Sequence, residues 1–254
     1  MRSGQFLRTI TSPSRMGAAI SRRLVRGTIT HVLTHEPVAA LTFDDGPDPV
    51  FTPRLVDILE RHGARGTFFM VGKSAERYPE VVRRVAEGGH AVGVHSWDHP
   101  SFPLISLAER RRQIRACEHA LAPFGCRLFR PPFGHQTVPS YVGARLLGYE
   151  VIAWNIAVND WSGDAAPDIR TRIEQKLHPG SIVLLHDHLF AYGESDARDR
   201  THTLEAVDQL LASLQGTMKM VTIPELLKRG RPHRVHWRHQ RELSWLSTLR
   251  WSMP

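Results

Sequence analysis

Cysteine is scarce in this chain. Cys117 and Cys126 are the two among 254 residues, and neither sits in a metal-type spacing, so both are expected to be reduced thiols. That excludes a disulfide-stapled scaffold and a cysteine-ligated zinc site. Long apolar runs are missing as well: no segment approaches the roughly 18 consecutive apolar residues of a membrane-spanning helix. The first 35 residues contain no hydrophobic core of an export signal, and the chain is expected to be cytoplasmic. No internal repeat is visible. Acids are missing from both ends: six arginines precede Glu36 with no acid among them, and from Lys228 onward seven Lys/Arg face Glu242 alone. The formal charge of +8 therefore belongs to the ends. Such ends can meet nucleic acid, anionic lipid or a charged glycan. No nucleic-acid-binding motif accompanies them, so specific nucleic-acid binding is not expected. Together with Phe6, Trp237, Trp245 and Trp251 they suit an anionic membrane surface.

What is present is a regular alternation. Short apolar or β-branched runs (VAALTF, GTFFMVG, HAVGVHS, RLFRPPFG, YEVIAWNIAV, SIVLLHD, MKMVTI) alternate with amphipathic stretches such as TPRLVDILERHG and LEAVDQLLASLQG. Seven strand-then-helix units fit an α/β fold with a parallel sheet, because parallel neighbours need helical crossovers. Closed into a ring, this is a barrel; an open doubly wound sheet is the competing arrangement. The boundaries read as a basic lead-in over 1–35, the barrel over 36–230 and a basic Trp/Arg/His-rich extension over 231–254. The extension's HRVHWRH stretch has no nearby carboxylate or cysteine and is not read as a second metal site.

Polar residues unusual in a core fall at the C-terminal tips of these strands, where parallel α/β folds assemble their sites. Asp44 and Asp45 end the first, His95 and His99 follow the third, and Arg130 ends the fourth. Asp160 and Trp161 follow the fifth, and His186 and Asp187 end the sixth. Two histidines four apart and a carboxylate from another tip make a 2-His-1-carboxylate face that leaves positions open for substrate. Adjacent carboxylates need not share one role. If Asp45 ligates the cation, Asp44 is free to take a proton from water. Gly46 and Pro47 turn the chain away so that both stand at the rim. His186 can donate a proton near neutral pH, with Asp160 orienting it and raising its pKa. The Arg130 guanidinium can hold Asp44 ionised and aimed.

TFDDGP, HSWDHP, RPPFG, NDW and LLHD, in this order, resemble the five motifs of the NodB-type polysaccharide deacetylases, carbohydrate esterase family 4. The resemblance spans about Val38 to Leu227 and implies a distorted (β/α)7 barrel, a NodB homology domain. It implies Asp44 as catalytic base and Asp45, His95 and His99 as ligands of a divalent metal, most often Zn2+, with Co2+, Ni2+ or Mn2+ as alternatives. It implies Arg130 as the residue positioning the base, the Phe133 amide in the oxyanion hole and Asp160 as partner of the histidine. Trp161 and Leu184 become walls of an acetyl pocket, and His186 the general acid. Two positions depart from the pattern: Ala157 stands where an aspartate is usual, and Phe133 replaces a tyrosine. The implied reaction is metal-dependent hydrolysis of an N-acetyl group from an N-acetylated amino sugar. The alternatives are deacylation or deformylation of a lipid-linked amino sugar at a membrane surface, or a barrel that binds glycans without cleaving them.

Overall fold

The computed structural model describes residues 26–190 and 199–236. The elements begin with β1 (Thr28–Leu33), β2 (Val38–Asp44), α1 (Phe51–Arg61), β3 (Thr67–Met70), α2 (Gly72–Arg77), α3 (Pro79–Glu87) and β4 (Ala91–Val94). After these come α4 (Leu107–Ala120), β5 (Gly125–Phe129), α5 (Val138–Leu146), β6 (Glu150–Val151), β7 (Ile156–Ala157) and α6 (Ala166–Glu174). The last are β8 (Ile182–His186), α7 (Thr201–Ser213), β9 (Lys219–Met220), α8 (Ile223–Leu226) and β10 (Arg231–Val235). Among the described residues no helix is long and apolar enough to cross a membrane.

The main sheet runs β6-β5-β4-β3-β2-β8-β7 and is parallel throughout. Its two edges, β6 and β7, are consecutive in the chain. Laid flat, six inter-strand steps would hold these edges about 29 Å apart, whereas the chain from 151 to 156 can reach about 17 Å at most. The sheet must therefore curl, which produces the distorted barrel. The run expected as one fifth strand, Tyr149–Val158, is broken where Ile152 bridges Ile29 and the Ala153 N–H donates to the Ile29 carbonyl. The seventh run yields only β9, which pairs with the start of β2 at Val38↔Lys219.

Sequence and structure differ most at the ends. β1 falls within the segment read as a lead-in and β10 within the extension, yet the two pair antiparallel from Thr28↔Val235 to Leu33↔Arg231. The membrane expectation on Phe6, Trp237, Trp245 and Trp251 falls on residues outside those described.

All seven residues of β2 are buried, because the strand is covered on both faces. Alternation sorts them. Ala39, Leu41 and Phe43 join Leu55, Leu59 and Val207 in the core between sheet and helices. Val38 and Ala40 join Ile182, Phe69 and Leu128 inside the barrel. Continuing that inner row along β2 gives Thr42 and Asp44; along β8 it gives Leu184 and His186, and past β5 it gives Arg130. The period of two that builds the core thus delivers polar groups to the barrel mouth. Each buried Leu or Phe stabilises the fold by about 1.5–3 kcal/mol.

Candidate active site

Three residues form a tight cluster. Asp45 Oδ1 lies 3.1 Å from His99 Nε2 and 3.4 Å from His95 Nε2. All three are buried, and among the described residues theirs is the single group of His, Cys, Asp or Glu with metal-ligand spacing. The Arg130 carbonyl fixes the tautomer of His95: it can only accept, so Nδ1 donates across 2.8 Å and Nε2 is left bare. A bare Nε2 and a carboxylate oxygen aimed at one point repel unless a cation lies between them. The donor set therefore fits a divalent metal. Burial opposes ionisation of Asp45, but the charge of the neighbouring His99 outweighs it and holds the carboxyl well below the ordinary range.

Asp44 takes a different environment from its neighbour. Its Oδ1 accepts from Arg130 Nη1 at 2.6 Å, while Oδ2 remains 3.8 Å from His95 Nε2. Arg130 is wholly buried and spends its other contacts on Thr42 Oγ1, 2.8 Å, and the Ala153 carbonyl, 3.0 Å. Phe69 lies under the guanidinium, with its ring centroid 4.2 Å from Cζ. The break between β6 and β7 is thus where Ala153 turns its carbonyl to Arg130. At Gly46 a Cβ would fall 2.3 Å from Asp187 Oδ2, so glycine is required for the turn after the pair.

Across the cavity stands a second pair. His186 Nδ1 lies 2.9 Å from Asp160 Oδ1, and the His186 backbone N–H donates to Asp160 Oδ2 at 2.9 Å. Burial lowers the imidazole's pKa, but Asp160 at contact, with Asp45 and Asp44 farther off, raises it to about 9. Trp161 meets the His186 ring edge-on at 5.1 Å. Asp44, Asp45, His95, His99, His186, Phe133, Trp161 and Leu184 line one cavity of about 270 Å³, together with Gly134, Trp154 and Leu189. Every site residue expected from the sequence is therefore in this cavity or, like Arg130 and Asp160, hydrogen-bonded to a residue that is.

Five non-glycine residues among those described have positive φ: Asp45 (77°), Ser96 (74°), His99 (61°), Phe133 (57°) and Asn159 (52°). All belong to the loops that carry the site, and such conformations cost on the order of 1–3 kcal/mol each. Strain is concentrated where side chains are aimed.

Sequence reasoning missed several contributors. Thr42 fixes Arg130; Thr203 Oγ1 donates to Asp160 Oδ2 at 3.3 Å; Arg200 Nη1 reaches the Asp160 carbonyl at 3.3 Å. Thr203 and Arg200 lie at the start of α7, some forty positions from Asp160, and no local pattern marks them. The inward period of β2 could have singled out Thr42. His188 Nδ1 lies 3.1 Å from Asp48 Oδ2. Ala157 sits on β7 beside Leu184, where no carboxylate is supplied.

A curled parallel barrel whose mouth holds a 2-His-1-carboxylate cluster, a second carboxylate clamped by an arginine and a carboxylate-backed histidine defines a class of metal-type hydrolase. Comparison with known proteins narrows that class. The sequence model of the family described as Polysaccharide deacetylase matches residues 31–152. A peptidoglycan-N-acetylglucosamine deacetylase of Bacillus cereus is 31% identical over 193 residues, covering 74% of this chain and 68% of that protein. A chitooligosaccharide deacetylase of Sinorhizobium fredii is 33% identical over 187 residues, covering 71% and 87%. The crystal structure of the Bc1960 peptidoglycan N-acetylglucosamine deacetylase superposes with a TM-score of 0.73 at 26% identity, over 88% of this chain and 100% of that one. The chain belongs to the polysaccharide deacetylase family, hydrolases of carbon–nitrogen bonds other than peptide bonds.

Proposed function

We propose that this protein removes the N-acetyl group from an N-acetylated amino sugar of an oligo- or polysaccharide. One observation carries the reading: a single cavity holds the Asp45–His95–His99 cluster, the unligated Asp44 and the Asp160-backed His186. The names of the relatives support the acetyl group and the amino sugar.

Asp45 Oδ1, His95 Nε2 and His99 Nε2 would hold a divalent cation, with zinc suited best to a site of two imidazoles and one carboxylate and cobalt, nickel or manganese as alternatives. Such an ion supplies Lewis-acid polarisation of the acyl carbonyl and acidifies water. The chain's own groups do the rest. Asp44, with Oδ1 tied to Arg130, takes the proton of the attacking water on Oδ2. Because Arg130 is itself clamped by Thr42 and Ala153, the base is aimed before substrate arrives. The Phe133 amide donates to the oxyanion as the acyl carbon becomes tetrahedral. Trp161 and Leu184 enclose the acetyl methyl and keep bulk water from it. His186, oriented through Nδ1 by Asp160, gives its Nε2 proton to the sugar nitrogen as the C–N bond breaks. Acetate and a free amine leave.

The test is acetate release from a panel of N-acetylated oligosaccharides, with and without chelator. Release that stops on chelation and returns with zinc is expected; no release from any member of the panel overturns the reading. Cytoplasmic location, expected from the make-up of the first 35 residues, and contact with an anionic membrane, resting on end residues outside those described, are also proposals. Liposome co-sedimentation with and without residues 237–254, which leaves β10 in place, decides the contact, which equal pelleting of the two forms would remove.

A further inference from the structure

We propose that Gln113, on the buried face of α4 and outside all five motifs, is the positioning residue that gives the loop from His95 to His99 its metal-binding shape and so sets how tightly the ion is held. The inference rests on the metal-dependent reading above and extends it to a residue that touches neither ion nor substrate. Its test reads bound zinc and amide exchange, so the two can fail separately.

The loop needs support from outside itself. His95 and His99 must aim two ring nitrogens at one point, and the chain between them gets there through left-handed turns at Ser96 (φ 74°) and His99 (φ 61°), which neither residue favours. Such a shape persists only where the surroundings hold its backbone groups. The start of α2 holds the carbonyls: Gly72 and Lys73 N–H donate to the Ser96 and Trp97 carbonyls at 2.9 Å each. The His95 N–H donates to the Met70 carbonyl at 3.0 Å, and the His99 N–H to Ser96 Oγ at 3.0 Å. Between these, the Trp97 and Asp98 N–H groups both donate to one atom, Gln113 Oε1, at 2.8 and 3.1 Å.

Gln113 is buried, and its amide is fully used. Nε2 donates to Asp98 Oδ1 at 2.5 Å and to Glu109 Oε1 at 2.9 Å. Two N–H donors face its oxygen and two carboxylate oxygens face its nitrogen, so one amide orientation satisfies all four. Asp98, next to the ligand His99, is thereby gripped through main chain and side chain at once. The helix is anchored to the same loop one turn further on. Cys117 donates its thiol to the Met70 carbonyl at 3.3 Å, the acceptor that also receives the His95 N–H. Gly72 lets α4 come this close, since a Cβ there would lie 2.7 Å from Cys117 Cα. Ile114, beside Gln113 in the chain, turns to the core instead.

Zinc affinity of the whole chain, read by competition with a chromophoric chelator, decides the matter. Gln113→Met keeps the volume and deletes all four hydrogen bonds; it is expected to weaken zinc binding about tenfold. Asp98→Ala removes one of the four and is expected to cost about threefold, with no further loss when added to Gln113→Met. Ile114→Val loosens the same helix on its core face and is expected to keep the parental affinity. Hydrogen exchange at the Trp97 and Asp98 amides should quicken in Gln113→Met while α4 amides stay protected, a readout that needs no metal. If the parent binds no zinc, the metal-dependent reading fails while exchange at these two amides still judges the role of Gln113. Parental zinc affinity in Gln113→Met, an equal loss in Ile114→Val, or unchanged exchange at the two amides overturns the inference. Should Gln113→Met fail to fold, Asp98→Ala, a change to an exposed residue, decides alone, and parental affinity there overturns it.

Discussion

Histidines gather at both ends of β8, and the two gatherings differ in what surrounds them. At the C-terminal end, His95 and His99 converge on Asp45, the Arg130 carbonyl fixes one tautomer, and His186 leans on Asp160. At the entry to the same strand His31, His178 and His233 meet: His31 stacks on His233 with centroids 4.3 Å apart, and His178 stands edge-on to His31 at 6.0 Å. A threonine takes the carboxylate's place there, with Thr30 Oγ1 lying 3.1 Å from His31 Nδ1 and 3.3 Å from His233 Nδ1. Burial and then its two neighbours lower the pKa of His31, whereas the carboxylates raise that of His186 to about 9. Imidazoles alone gather into a stack. A carboxylate and a fixed tautomer turn them into a ligand set.

The sharpest way to break this contrast is to remove the carboxylate that makes it. Asp45→Asn and His95→Ala are each expected to empty the cluster of metal and lower turnover on the order of 10³-fold. Elemental analysis of the purified variants alongside acetate release checks both outcomes. His31→Ala and His233→Ala are expected to change neither. A metal content that followed His31 instead would reverse the assignment of the two groups.

Next in size are the groups that move protons without holding the ion. Asp44→Asn and His186→Ala are expected to cost on the order of 10²-fold or more in kcat while bound metal stays at the parental level. Near-parental rates in either variant would remove that residue from the proton path. A smaller effect is expected one contact further out. Thr203→Val deletes a donor to Asp160 Oδ2 and should lower kcat about fivefold with KM unchanged, while Thr203→Ser restores it. A valine variant that matches the parent would mean the His186 backbone N–H suffices to hold Asp160.

Much of this site was legible because strand periodicity and chemistry agree. Asp44 on β2, His186 on β8 and Arg130 after β5 share the inward row, and each is a polar residue in an otherwise apolar run. The fold was legible in the same way, from VAALTF through SIVLLH. What stayed hidden depends on distance or on backbone geometry. Thr203 reaches Asp160 from a helix whose pattern is that of any amphipathic segment. The left-handed turns at Asp45, Ser96 and His99 carry no glycine to announce them. The break in the fifth strand is masked because Ile152 and Trp154 continue the apolar run across it. The pairing of β1 with β10 escaped because THVL and RPHRV are short, carry histidine or arginine, and lie at opposite ends of the barrel sequence.

That terminal sheet offers the mildest test of the contrast, and pH is the lever. His31 faces His233 and His178, with the Thr30 hydroxyl between it and His233, and no carboxylate among the described residues pairs with it to offset a charge. Its folded-state pKa is lowered from 6.5, so between that folded value and 6.5 the unfolded chain binds more protons than the folded one. The stability it contributes is therefore complete above 6.5 and is lost as pH falls through that window. Because His31 is partly solvent-exposed, screening keeps the effect small, and it should appear as faster hydrogen exchange at β1 and β10 amides before any global unfolding. His31→Gln should flatten the pH dependence of exchange in these strands relative to the barrel core. If β1 and β10 protection in the parent stays constant across that window, the stacked histidines are held by something other than their neutrality.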